Sequence, residues 1–212
     1  MSTFRLCLLT ILIVVPAVMR LSDLGWNFVP IGAVALFAGA TFRNRTLAFA
    51  VPMGAMILSD LALGWRRHDF MFYTFHATLP FVYGCYALSV CLGFGVRRRW
   101  AKLEASAAES APVEPEPTTD RDGLLTRRML PVAGGTLAGA LLFFLITNFG
   151  DWLVFWDNKS WSSLLECYAV AIPFFRNTLA ADAIGAVILF GGYEIVCRRA
   201  AVADPSGLLH AR

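Results

Sequence analysis

The chain has 212 residues, 58% of them hydrophobic and 16% charged, with a mean hydropathy of +0.62. Soluble domains are about 45–50% apolar and about 25% charged, so the composition excludes an ordinary soluble protein and implies an integral membrane one. A net charge of +3 is too small to indicate a nucleic-acid partner. The length leaves room for roughly five to seven spans but no large soluble domain beside them.

Six apolar segments are predicted as helices, over residues 4–19, 28–42, 46–63, 71–96, 129–148 and 173–196. They make the fold class all-α, a polytopic six-transmembrane-helix bundle. The first opens with Arg5 and the run LCLLTILIVVPAVM, as a secretion signal would, but no small-x-small cleavage site follows before Arg20. A retained first helix is expected, with cleavage as the alternative. The second helix is short for a full span and is expected to tilt or to begin within the outer leaflet.

Basic residues orient the bundle. With a cytoplasmic N-terminus, Arg5, Arg43, Arg45, Arg97, Arg98, Arg99, Lys102, Arg121, Arg127, Arg128, Arg198, Arg199 and Arg212 fall inside. Of the 18 basic residues, that leaves only Arg20, Arg66, Arg67, Lys159 and Arg176 outside. Both termini are therefore expected on the cytoplasmic side of the inner membrane.

Residues 100–126 differ in kind. AKLEASAAESAPVEPEPTTDRDG has almost no large apolar side chain and is expected to be a disordered cytoplasmic linker. It divides the helices of 1–99 from those of 127–199, which pack as one bundle, and a tail follows at 200–212. The stretch after the fifth helix, GDWLVFWDNKSWSSLLECYAVAI, holds three of the six tryptophans, Trp152, Trp156 and Trp161, and belongs at the outer interface. Ser160 is expected to cap a short helix over 163–172 that Pro173 ends. That helix either covers the outer mouth of the bundle or anchors at the interface.

The five cysteines, Cys7, Cys85, Cys91, Cys167 and Cys197, form no Cys-x-x-Cys pair and read as small buried hydrophobes. The strongly polar residues of the spans are read as gathering in the outer half. Asn27 opens the second helix, Asp60 closes the third, and His76 lies in the outer third of the fourth. Asn148 ends the fifth, beside Thr147 and Asp151, and Arg176, Asn177 and Asp182 begin the sixth. The inner halves are Leu, Val, Ala, Gly and Phe. A continuous channel or proton relay would need polar groups at successive depths, so the layer predicts a pocket open outward and closed below. Its candidate substrate-binding residues are Asn27, Asp60, His76, Asn148, Arg176, Asn177 and Asp182.

A purely structural reading accounts for several of these. Intramembrane ions normally pair with one another, so Arg176 with Asp60 or Asp182 would lock helices together. His76 would satisfy a backbone carbonyl freed by Pro80. No His-Glu-x-x-His, Gly-x-Ser-x-Gly or P-loop motif occurs, and no metal or cofactor is implied. An intramembrane enzyme, with Asp60, His76 and Asp182 converging on a metal or a water, ranks third. Small residues four apart, at Ala35/Gly39, Ala50/Gly54, Gly135/Gly139 and Ala181/Gly185, let helices approach closely, within the bundle or against a partner.

NFVPIGAVALFAGATF, VPMGAMILSDLALG, LLFFLITNFGDW and CYAVAIPFFRNTLAADAI occur in that order. The four blocks resemble an uncharacterised bacterial six-helix membrane-protein family, a resemblance that implies no activity. More distantly, the architecture resembles the substrate-capturing S components of energy-coupling-factor transporters. That resemblance implies a small-molecule solute bound in the outer half and docking to a transmembrane transporter subunit with ATPases. The first helix lacks the Ala-x-x-x-Ala pattern such docking uses. The expected function is thus a solute-binding transporter component in a lipid bilayer. The alternative is a structural or assembly protein whose charges lock the bundle. Arg176, Asn148 and Asn177 suit an anionic or polar solute, whereas Asp60 and Asp182 suit a cation, which leaves the solute's charge open.

Overall fold

The computed structural model describes residues 3–22, 27–109 and 121–203. Among these there are seven helices and no strand: α1 Thr3–Leu21, α2 Ile31–Thr41, α3 Arg45–Arg66, α4 Phe70–Thr74, α5 Leu79–Glu109, α6 Arg121–Phe155 and α7 Trp161–Ala203. Four helical stretches are long and apolar enough to cross a membrane, at Arg45–Arg66, Phe70–Ser106, Leu125–Phe155 and Trp161–Cys197; Cys7–Leu21 and Ile31–Thr41 are shorter and apolar.

The bundle is built around α2. Its sequence, IGAVALFAGAT, has no polar face, and nine of its eleven residues are buried. A helix that is apolar all round belongs inside, and α3, α5, α6 and α7 all pack on it. At about 1.5 Å per residue it is only about 16 Å long, which is why it reads as a short span. Close approach relies on small residues. A Cβ on Gly93 would lie 2.8 Å from Gly39 Cα, one on Gly135 would lie 3.0 Å from Leu36 Cδ1, and one on Gly185 would lie 2.6 Å from Pro30 Cβ. The small-residue patterns ending at Gly39, Gly139 and Gly185 are therefore occupied within the chain. Outward faces are apolar instead: Leu137, Leu141, Leu145, Phe149 and Leu153 form an exposed stripe along α6, as a lipid-facing surface would.

Three boundaries differ from expectation. The predicted fourth helix is two: α4 stops at Thr74, and α5 starts at Leu79 with Pro80 in its first turn, where a missing N–H costs nothing. The Thr78 carbonyl accepts from the Phe81 and Val82 N–H groups at 3.1 and 3.2 Å. Helix also enters the expected linker from both sides, to Glu109 and from Arg121, because Ala, Lys, Leu and Glu are strong helix formers even without a core to pack on. The linker's centre, 110–120, and the tail beyond 203 lie outside the described residues. Finally, α7 passes through Pro173 rather than ending there, since a span tolerates one lost donor. Its start is as predicted, with Ser160 Oγ accepting from the Ser163 N–H at 3.2 Å.

One end of the bundle is closed by side chains from three helices, α5, α6 and α7. Arg97 donates to the Phe42 carbonyl at 2.7 Å, and the Trp100 indole to the Arg128 carbonyl at 2.9 Å. The Arg128 guanidinium lies 4.7 Å from the Trp100 ring centroid and pairs with Glu104 at 2.7 Å and Glu194 at 2.8 Å.

Candidate functional site

At the opposite end the polar residues separate into three groups. The first surrounds Asp60, near the end of α3 and 1% exposed. Arg20, in the last turn of α1, forms an ion pair with its Oδ1 and donates to Ser59 Oγ at 2.8 Å. The Tyr83 hydroxyl of α5 donates to Asp60 Oδ2 at 2.7 Å. The Asp60 backbone carbonyl accepts from Thr74 Oγ1 at 3.4 Å. Asp60 thus ties together α1, α3, α4 and α5. Burial of a carboxylate requires such pairing, and its partner is Arg20 rather than Arg176.

The second group is Asp182, which is 4% exposed on α7. Its Oδ1 accepts from the Ala33 N–H at 2.9 Å, and the carboxylate also takes the Gly32 N–H. These are first-turn donors of α2, which follows Pro30 and has no side-chain cap of its own.

The third group encloses a cavity of about 750 Å³ at this end of the bundle, within the range of small-molecule sites. Its deeper wall carries Ile31, Met56, Val82, Tyr86, Ala140, Phe143 and Phe144. Nearer the helix ends it is lined by Arg20, Ser22, Asn27, Tyr73, Thr78, Thr147, Asn148 and Asp151, with Phe174, Phe175 and Thr178 from α7. Asn27 sits in the left-handed region at φ 61°, a conformation that Asn tolerates better than most residues. Asn148 Nδ2 donates to the Phe144 carbonyl at 2.7 Å, which leaves the amide oxygen free to accept.

Of the expected site residues, Asn27 and Asn148 line this cavity. Asp60 reaches it only through Arg20, and Asp182 is turned to the start of α2. His76 Nδ1 contacts Thr78 Oγ1 at 3.0 Å, between α4 and α5. Arg176 is exposed, and Asn177 half-buried, on α7. Neither lines the cavity. Sequence reading placed Arg20 in the correct layer but not as the partner of Asp60, and passed over the aromatic wall of Tyr86, Phe143, Phe144, Phe174 and Phe175. Aromatics in an apolar span carry no signal of their own that separates a wall from core. Among the described residues, no group of three or more His, Cys, Asp or Glu could hold a metal ion.

The tryptophan-rich turn lies beside this end. Lys159 Nζ donates to the Trp152 carbonyl at 2.6 Å and to that of Trp156, capping the last turn of α6. The Trp152 indole donates to Ser163 Oγ at 2.9 Å, and Cys167 Sγ to the Asn148 carbonyl at 3.4 Å. These contacts clamp α6 to α7 along the cavity wall.

The profile of a family of unknown function (DUF6580) matches residues 1–204. No curated protein and no solved structure matches the chain.

Proposed function

The chain belongs to a family of unknown function (DUF6580), and on that premise we propose that it captures a small solute as a six-span protein of the inner membrane. The cavity of about 750 Å³ carries this reading: aromatic and apolar along one part of its lining and polar along another. In the proposed arrangement α1, α2, α3, α5, α6 and α7 are the spans and α4 is an interfacial turn. The basic clusters Arg43/Arg45, Arg97–Arg99 and Arg127/Arg128 all lie at the end away from the cavity. The positive-inside preference then puts that end in the cytoplasm and the cavity outside.

Solute capture is better supported than docking to an ATPase-driven subunit, because three of the four small-residue patterns suited to docking, those ending at Gly39, Gly139 and Gly185, are packed within the bundle. A second reading, a bundle locked by its charges, draws on Asp60 and Asp182, both of which have protein partners. The two are separated by native mass spectrometry of gently purified protein. Capture predicts a co-purifying small molecule that is lost in Val82→Trp, which fills the cavity, while the variant stays monodisperse. An empty protein throughout, with a solute screen giving no thermal stabilisation, would favour the locked bundle.

A further inference from the structure

We infer that the cavity accepts an organic cation, a molecule with an apolar or aromatic body and a protonated or quaternary nitrogen. This rests on the solute-binding reading above and adds the chemical class. Among the described residues, two charged side chains line the cavity, Arg20 and Asp151. They are not equivalent. Arg20 is matched by Asp60 directly behind it, so that pair presents no net charge to a solute.

Asp151 is not matched in this way. It has no hydrogen-bond or ion-pair partner among the described residues. The nearby cation Lys159 is engaged by the carbonyls at the end of α6 and by the Trp152 ring, 5.3 Å from its centroid. Among the described residues, the lining therefore has one uncompensated charge, and it is negative.

The aromatic wall adds to this. Phe144 and Phe175 lie 4.9 Å apart between ring centroids at 46°, and Tyr86 and Phe143 lie 5.3 Å apart at 37°. Tilted rings present both faces and edges, and ring faces attract cations and repel anions. A compact metal cation is favoured where several charged or imidazole ligands come together, and the described residues hold no group of three or more His, Cys, Asp or Glu. From Ala140 to Asp151 the wall of α6 rises by about 16 Å at about 1.5 Å per residue. That is room for a ring-sized body against the aromatics with its charged end toward Asp151.

The test is binding of three matched ligands, benzyltrimethylammonium, benzyl alcohol and phenylacetate, to the full chain in nanodiscs by calorimetry. The expected result is a preference for the cation over phenylacetate of about tenfold or more. Asp151→Asn should reduce that preference severalfold without lowering the melting temperature, and Phe144→Leu should weaken the cation while sparing the alcohol. Preference for phenylacetate, or a cation affinity indifferent to Asp151→Asn, would overturn the cation class but leave the cavity as a binding site. No binding of any of the three, together with no co-purifying molecule, would overturn both this inference and the solute-binding reading.

Discussion

Asp182 accepts the Ala33 N–H at 2.9 Å, so a carboxylate from the last helix completes the first turn of the second. The first N–H groups of any helix lack partners within it, and those of α2 are buried where water cannot supply them. A carboxylate there also meets the positive end of the helix dipole. Gly32 belongs to the same arrangement. A Cβ at that position would lie 3.0 Å from Asp182 Oδ1 and closer still to its other oxygen, so only glycine lets the carboxylate come this near.

Asp182→Ala is accordingly expected to destabilise the fold by about 1–3 kcal/mol, the cost of leaving buried donors unpaired. Asp182→Asn keeps an acceptor oxygen and should lose less. Gly32→Ala should resemble Asp182→Ala, because it displaces the same carboxylate. Thermal unfolding in mild detergent measures all three. Equal stability of Asp182→Ala and the parent would remove the capping role.

The Arg20–Asp60 pair is expected to respond asymmetrically. The Asp60 side chain is 2% exposed and that of Arg20 25%. Removing Arg20 strands a carboxylate away from water; removing Asp60 leaves a guanidinium that still reaches it. Breaking a buried pair costs about 3–5 kcal/mol, so Arg20→Met should approach the lower part of that range. Asp60→Asn, which still accepts from Tyr83, should cost distinctly less. A melting series over both single variants and the double variant reads the order, and the double variant should recover part of the Arg20→Met loss.

How much of this was legible in sequence depends on the kind of signal. Apolar length located the four helices long enough to cross a membrane and the two shorter apolar ones, whereas the burial of α2 on all sides was not read from IGAVALFAGAT, which reads only as a short span. The polar layer was also legible, because orientation by basic residues assigns each polar residue a depth. Depth does not give azimuth. Arg20 and Arg176 share a layer, and only helix packing decides that the first meets Asp60 while the second faces outward. Asp182 was misleading for a related reason: its partners are the backbone donors of α2, which no side-chain pattern announces. The break before Pro80 could be read as a kink or as two helices, and local sequence does not choose between them.

The crossing of α2 and α5 gives a sharper test of packing. A Cβ on Gly93 would lie 2.8 Å from both Gly39 Cα and Ala40 N, all backbone atoms that cannot swing aside. Gly93→Ala should therefore separate the two helices and cost about 1–3 kcal/mol, the usual range for overpacking. Gly95→Ala, two residues along the same helix with nothing within 4 Å of a Cβ, should be neutral or slightly stabilising, since alanine favours helix over glycine. The contrast separates packing from propensity.

Orientation can be tested independently of any ligand. Trp65 and Trp161, each 82% exposed, lie at the cavity end, whereas Lys102 is exposed near the other. Tryptophan at a membrane interface and lysine on the cytoplasmic side are both favoured positions, but only the second distinguishes the two faces. In a chain with its five cysteines replaced by serine or alanine, Trp161→Cys should react with a membrane-impermeant maleimide on intact cells. Lys102→Cys should react only after permeabilisation. The reverse pattern would turn the cavity toward the cytoplasm. Because Arg43, Arg45, Arg97, Arg98, Arg99, Arg127 and Arg128 would then all lie outside, that result would also mean that something other than loop charge sets the topology of this chain.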